Sequence, residues 1–283
     1  MYELKNLIRV LENQSSAIME QDRPISSIDA ARVKSIHQAM YLVRSASELF
    51  DDTPEQHDNF VTYKIVSDLD GKLKTAARTS CNFWNRFIAP RFPIVIRLGV
   101  FTANSRTIAR AYKPYERNGT RFGVIEFNTK YLGQYDANGI AGTVVHEIGH
   151  TLGYGWDHWM NLFHRKTGKF KAQYIQKLPE LQNMRVETDY GSGTRYSHWD
   201  EELFDGELMT GFKDSGEYVL PVTIDVLALF DHQSIERLEA QTDLAILLED
   251  VSNIAFSRKD EAEEMDVDYY EKTEIFEEIP HPK

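Results

Sequence analysis

The stretch VVHEIGHTLGYGWDHW, Val144 to Trp159, sets two histidines four residues apart with a glutamate directly after the first. Around it, GIAGTVVHEIGHTLG is apolar or small over a helix-length run and stops at Gly153, so it reads as a core helix with a glycine as its exit. On a helix, positions i and i+4 lie about 40° apart around the axis and about 6 Å along it. His146 and His150 can therefore turn ring nitrogens toward one ion. Glu147, next to the first histidine, is placed to hold and deprotonate a water rather than to bind the ion. Neutral imidazoles leave a zinc ion its full double charge, which can bring the pKa of bound water to about 7. Two histidines and a glutamate buried in an apolar helix without a shared task would be costly, and this favours a metal site over coincidence.

A catalytic zinc needs a third protein ligand. In the short pattern HExxHxxGxxH the glycine position is filled by Gly153, but Trp156 stands where the third histidine would be, and indole does not ligate. Asp157 and His158 are one and two residues out of that register, His164 is further along, and Glu180 or Glu187 would have to act from a later helix that the pattern does not support. Read locally, the third ligand stays open.

Further along, GSGTRYSHWDEELFDGELMTGF, Gly191 to Phe212, carries His198 and then Met209. With HEIGHTLG upstream, this segment resembles the leishmanolysin family, including the invadolysins and their bacterial relatives. The matching residues are Gly193, Thr194, Ser197, His198 and Trp199, then Glu207, Leu208, Met209 and Thr210. The family comprises metzincin zinc proteases whose third histidine follows a long insertion and precedes a methionine turn. The resemblance extends roughly from Phe60 to Phe230, through TAARTSCNFWNRFI, GVIEFNTKYL, GKFKAQYIQ and TIDVLALFD. It implies that His146, His150 and His198 hold one Zn²⁺ per chain, and that Met209 is a soft floor beneath it, forming the Met-turn. It also implies that Gly153 turns the chain out of the helix into the insertion.

The resulting expectation is an endopeptidase that hydrolyses peptide bonds through zinc-bound water, with Glu147 taking the proton and later giving it to the leaving amine. Gly123, Val124, Ile125, Glu126 and Phe127 are expected to form an edge strand whose free backbone groups bind the protein or peptide substrate as an added strand. The alternative is a zinc-binding protein of the same fold that acts as a non-proteolytic binding module or on a non-peptide amide.

The hydrophobic pattern supports an α+β class. FVTYKIV, Phe60 to Val66, PIVIRLGVF, Pro93 to Phe101, TIARAY, Thr107 to Tyr112, and RFGVIEFNTKYL, Arg121 to Leu132, read as strands, with Asn118-Gly119 as a turn. A helix follows Asp70, its expected N-cap, and further helices are expected near Phe170 to Lys177, Val222 to Phe230 and Ile235 to Val251. The resemblance makes this a metzincin-type zincin domain: a twisted mixed sheet with an active-site helix. The expected organisation is an N-terminal helical region over residues 1–58, pro-like or docking, a catalytic domain over 59–235, and a C-terminal helix with an acidic tail over 236–283. Two helical patterns, Tyr2 to Glu20 and Ser27 to Phe50, fill the first region, and the tail from Lys259 reads as solvated chain.

A formal net charge of -12 disfavours nucleic acid and anionic membranes as partners, since both would repel the chain at long range. No apolar run reaches the length of a transmembrane segment. The N-terminus intersperses charge among its leucines, so no signal peptide is expected, which leaves a cytoplasmic location or export by a non-classical route. The single cysteine, Cys81, excludes intrachain disulfides. It lies beside Phe83 and Trp84 and is expected to be a buried apolar residue. The DLDG stretch at Asp68 to Gly71 is a helix-capping turn in preference to a calcium loop. Oligomeric state is not legible.

Overall fold

The computed structural model describes residues 60–254 except Ser192, residues 275–280, and in the first 59 residues only Val10, Leu11, Gln14, Arg32, Ser35 and Ile36, all six helical. The remainder of the two expected N-terminal helices, and residues 255–274 and 281–283 of the tail, lie outside the described residues. Packing divides the chain into two units, Met1–Asp58 and Asn59–Lys283. The second unit contains the sheet and all of the candidate site residues.

Its strands are β1 (Val61–Ile65), β2 (Ile88–Ala89), β3 (Ile94–Phe101), β4 (Ala109–Tyr112), β5 (Tyr115–Arg117), β6 (Thr120–Asn128), β7 (Phe212–Lys213), β8 (Tyr218–Val219), β9 (Gln233–Ser234), β10 (Thr242–Asp243) and β11 (Ile275–Pro280). The main sheet runs β1-β3-β6-β4-β11-β7, with β5 also on β6. β1, β3 and β6 are mutually parallel, β4 is antiparallel to both β6 and β11, and β11 is parallel to β7. Asn118 and Gly119 have φ of 51° and 74°, the pair of positive values that a two-residue hairpin turn needs, and they join β5 to β6 with Arg117 opposite Thr120.

Two long helices cover the sheet. α1 (Lys72–Phe87) supplies the crossover that the parallel β1–β3 pair requires. Its N-terminus is capped by Asp68, which accepts from the amides of Leu73 and Lys74 at 3.1 Å each, while Asp70, the expected cap, sits in a left-handed turn with φ 59°. The chain needs Asp70 and Gly71 for the turn itself, so the capping carboxylate comes from further back. After the short α2 (Thr129–Leu132), α3 (Ala137–Leu152) begins at Asp136, whose side chain accepts from Gly139 N–H at 2.7 Å. Every residue of α3 from Ile140 to Leu152 is buried. α1 packs along it and pins its backbone twice: Trp84 Nε1 donates to the Val145 carbonyl at 3.0 Å and Ser80 Oγ to the Ala141 carbonyl at 2.9 Å. Cys81 lies fully buried on α1, where burial pushes its thiol up.

Beyond α3 come α4 (Asp157–Met160), α5 (Ala172–Ile175), a 3-10 turn at Pro179–Asn183, α6 (Glu201–Phe204), α7 (Pro221–Asp225) and α8 (Leu244–Ser252). The helix expected from Ile235 thus starts only at Leu244, where Asp243 accepts from Ala245 N–H at 2.8 Å. α8 packs on α1, and Asn82 Nδ2 donates to the Val251 and Ile254 carbonyls. Although short of regular structure, the segment between α3 and α6 has an aromatic core. Trp159 lies 4.6 Å from Tyr154 and 5.0 Å from Trp199, ring centre to ring centre, and its indole N–H donates to the Tyr196 carbonyl at 2.7 Å.

Two expectations are overturned by the sheet. Gly123, Val124, Ile125, Glu126 and Phe127 lie in β6, which is an interior strand with β3 on one side and β4 on the other. Alternation of burial marks a strand but not its neighbours, and the antiparallel β4 takes the place outside it. The acidic tail, read as solvated, contributes β11 to the sheet: the outer edge of β4 carries backbone groups that need partners, and Ile275–Pro280 supplies them. Among the described residues, no helix is long and apolar enough to cross a membrane.

The α1–α3 contact yields a stability test. Trp84→Ala is expected to cost about 3–5 kcal/mol in urea unfolding, through lost packing and the lost indole hydrogen bond to the Val145 carbonyl, whereas Val66→Ala, at a position 55% exposed, changes stability by less than about 0.5 kcal/mol.

Candidate metal centre

α3 presents His146 and His150 one turn apart on the same face, and the return of the chain after the insertion brings His198 against them. All three are buried. Their Nε2 atoms form an equilateral triangle with sides of 3.2 Å. Three nitrogens bound about 2.0–2.1 Å from one tetrahedral ion are separated by about 3.3 Å, so the triangle fits a zinc ion without rearrangement.

The opposite ring nitrogens fix the tautomers. His146 Nδ1 faces the Leu208 carbonyl at 2.7 Å, His150 Nδ1 the Tyr154 carbonyl at 3.2 Å, and His198 Nδ1 the Thr194 carbonyl at 2.9 Å. A carbonyl only accepts, so each Nδ1 carries the proton and each Nε2 keeps its lone pair toward the centre. The Ser197 hydroxyl, 2.8 Å from His198 Nδ1, donates its own proton to the Thr194 carbonyl. Burial depresses His146 to about 4 and His198 to about 3, and holds His150 well below its ordinary value, with His198 and His146 adding to that effect. Neutral imidazoles at neutral pH are what a metal requires.

Glu147 is fully buried beside His146. Gly153 has φ 140° and closes α3, its N–H reaching the Gly149 and His150 carbonyls at 3.2 and 3.1 Å. This exit lets Tyr154 turn its carbonyl back onto His150. Met209 is fully buried against Gly149, between the two helical histidines: a Cβ on Gly149 would lie 2.7 Å from its sulfur. The glycine of HEIGH thus makes room for the methionine.

The other sequence candidates stay apart from this cluster. His158, His164 and Asp157 are exposed, and Asp157 lies 4.0 Å from Lys113. Glu180 is exposed, while Glu187, though buried, accepts from the backbone amides of Asp189, Tyr190 and Glu201.

One residue carries more than its motif position disclosed. Glu207 is buried and accepts from Met209 N–H at 2.7 Å, Leu220 N–H at 3.2 Å and the Thr223 hydroxyl at 2.6 Å. Thr223 in turn accepts from the indole of Trp199 at 3.0 Å, next to His198. Burial pushes Glu207 up to about 7, against the pull of these donors. The carboxylate ties the methionine loop to the segment that carries the third histidine. Its place two residues before Met209 was the available signal.

The Gly149–Met209 contact can be measured. Gly149→Ala is expected to destabilise the fold by about 1–3 kcal/mol in urea unfolding, and the double variant with Met209→Ala by less than the sum of the two single changes, because removing the thioether frees the space the new methyl needs.

The leishmanolysin family model matches residues 111–232. No curated protein and no solved structure matches the chain. The matched segment contains β6, α3, the three histidines, Glu147, Glu207 and Met209. The chain is therefore leishmanolysin-like, with the likeness shown over residues 111–232, a span that includes the three buried histidines.

Proposed function

We propose that the chain is a zinc-dependent endopeptidase of the metzincin type, with His146, His150 and His198 as the metal ligands, Glu147 as the general base and Met209 in the Met-turn beneath the metal. The observation that carries this reading is the Nε2 triangle of three neutral, buried imidazoles, each with its Nδ1 committed to a backbone carbonyl. The leishmanolysin family match supports it, since its span of residues 111–232 includes all five of these residues.

When bound, the ion supplies Lewis acidity, polarising the scissile carbonyl and making water easier to deprotonate. Glu147 takes that proton and passes it to the departing amine, the two halves of general base and general acid work by one carboxyl group. It lies fully buried immediately after His146 on the same helix. The peptide is held as an extended strand along the outer edge of β4 in place of β11, the opposite edge of β4 being satisfied by β6. Glu207 and Gly153 act by holding the methionine loop and the turn after α3 in place.

Metal analysis of the purified chain tests the ligand set. One zinc per chain is expected in the parent and in His158→Ala, and substoichiometric zinc in His198→Ala; the reverse pattern would overturn the assignment. Glu147→Gln tests the chemistry: casein cleavage should fall on the order of 10²–10⁴-fold with zinc content unchanged, and a chelator should abolish the activity of the parent. Full activity in Glu147→Gln would rule out the proposed base.

A further inference from the structure

β11 crosses the metal centre. Its backbone pairs antiparallel with β4, from Ile275 opposite Tyr112 to Glu278 opposite Ala109, and then joins β7 at Ile279 opposite Phe212. Along that path the Phe276 ring lies 4.8 Å from the ring of His150 and 6.5 Å from that of His198, centre to centre. On another side the Trp156 ring stands 4.1 Å away, tilted by 33°.

The slot around Phe276 is built rather than incidental. The Trp156 indole is fixed by its N–H, which donates to the His150 carbonyl at 2.8 Å, so the same residue orients the wall and a ligand-bearing turn. Gly155, with φ 84°, lies beneath, and any Cβ there would run into the Phe276 ring. Trp156 occupies the register in which a short metal motif would carry its third histidine. In this chain it offers an aromatic face beside the metal instead of a ligand.

An extended segment hydrogen-bonded to a sheet edge, with one side chain dropped into a pocket, is the geometry of a bound peptide. We propose that Gly155, Trp156 and the ring of His150 form a subsite for an aromatic side chain of an extended peptide laid on β4, and that the chain's own Ile275–Pro280 segment is its resident ligand. The proposal rests on the reading of this cleft as a peptidase site. Since the outer edge of β4 pairs with one strand at a time, a substrate must displace β11. Being part of the same chain, β11 competes at a high effective concentration. The subsite favours Phe, Tyr or Trp because a planar ring fills a space bounded by indole, imidazole and a Cβ-free backbone.

The test uses the full, zinc-loaded chain with Glu147→Gln, so that a bound peptide is not consumed, and a fluorescein-labelled synthetic peptide TEIFEEIPHPK, residues 273–283, followed by fluorescence anisotropy. Adding Phe276→Ala to the chain should tighten binding of this probe at least about tenfold, since the resident phenyl ring no longer competes. Phe276→Tyr, which keeps a ring, should bind the probe as the parent does. A probe with alanine in place of its phenylalanine should bind the Phe276→Ala chain at least about tenfold more weakly, and Trp156→Ala in that background should erase the difference between the two probes. Equal binding of the probe to the parent and to Phe276→Ala would overturn the resident-ligand proposal, and indifference to the probe's phenylalanine would overturn the subsite. Casein cleavage by the unmutated chain without this binding pattern leaves the peptidase reading standing and removes the subsite; the pattern without cleavage does the opposite.

Discussion

Three hydrogen bonds from imidazole Nδ1 atoms to backbone carbonyls organise this protein. Each carbonyl comes from a different stretch of chain: Leu208 from the methionine loop, Tyr154 from the turn after α3, and Thr194 from the end of the insertion. A buried imidazole with a free N–H would be strongly disfavoured, so all three stretches have to be in place for the histidines to be buried as they are. Helix exit, insertion and methionine loop are thereby folded against one another around a single small volume.

The supports behind that volume are polar and continuous. Glu207 collects the Met209 and Leu220 amides and the Thr223 hydroxyl, and Thr223 collects the Trp199 indole, one residue from His198. Removing any member leaves another buried polar group without its partner, which is why such networks hold geometry more tightly than their individual bonds suggest. On the other side, Met209 fits only because position 149 is glycine, so the packing behind the two helical histidines depends on a residue that contributes no side chain at all.

Much of this was legible in the residues. The run from Ala137 to Leu152 announces a buried helix by composition, and the spacing of His146 and His150 fixes their shared face. His198 was legible only through the family resemblance, since 48 residues separate it from His150 and no local rule spans that distance. Other features escaped for identifiable reasons. Alternation in β6 reports burial on one face but is blind to which strand lies beside it. The acids around Ile275 and Phe276 disguise a strand whose stability comes from pairing to β4 rather than from its own hydrophobicity. That an indole cannot ligate removes Trp156 from the metal shell, but it is no guide to the residue's role as a wall against Phe276.

The aromatic core of the insertion has a consequence for how the proposed centre would take up an ion. Bringing together the ends of a flexible loop of 48 residues costs about 3–4 kcal/mol in chain entropy. Were the insertion loose, every binding event would have to meet that cost before the third nitrogen arrived. Trp159, packed on Tyr154 and Trp199, meets it once, when the chain folds. His198 is thus preorganised against His146 and His150, and the triangle of nitrogens is drawn before any ion arrives.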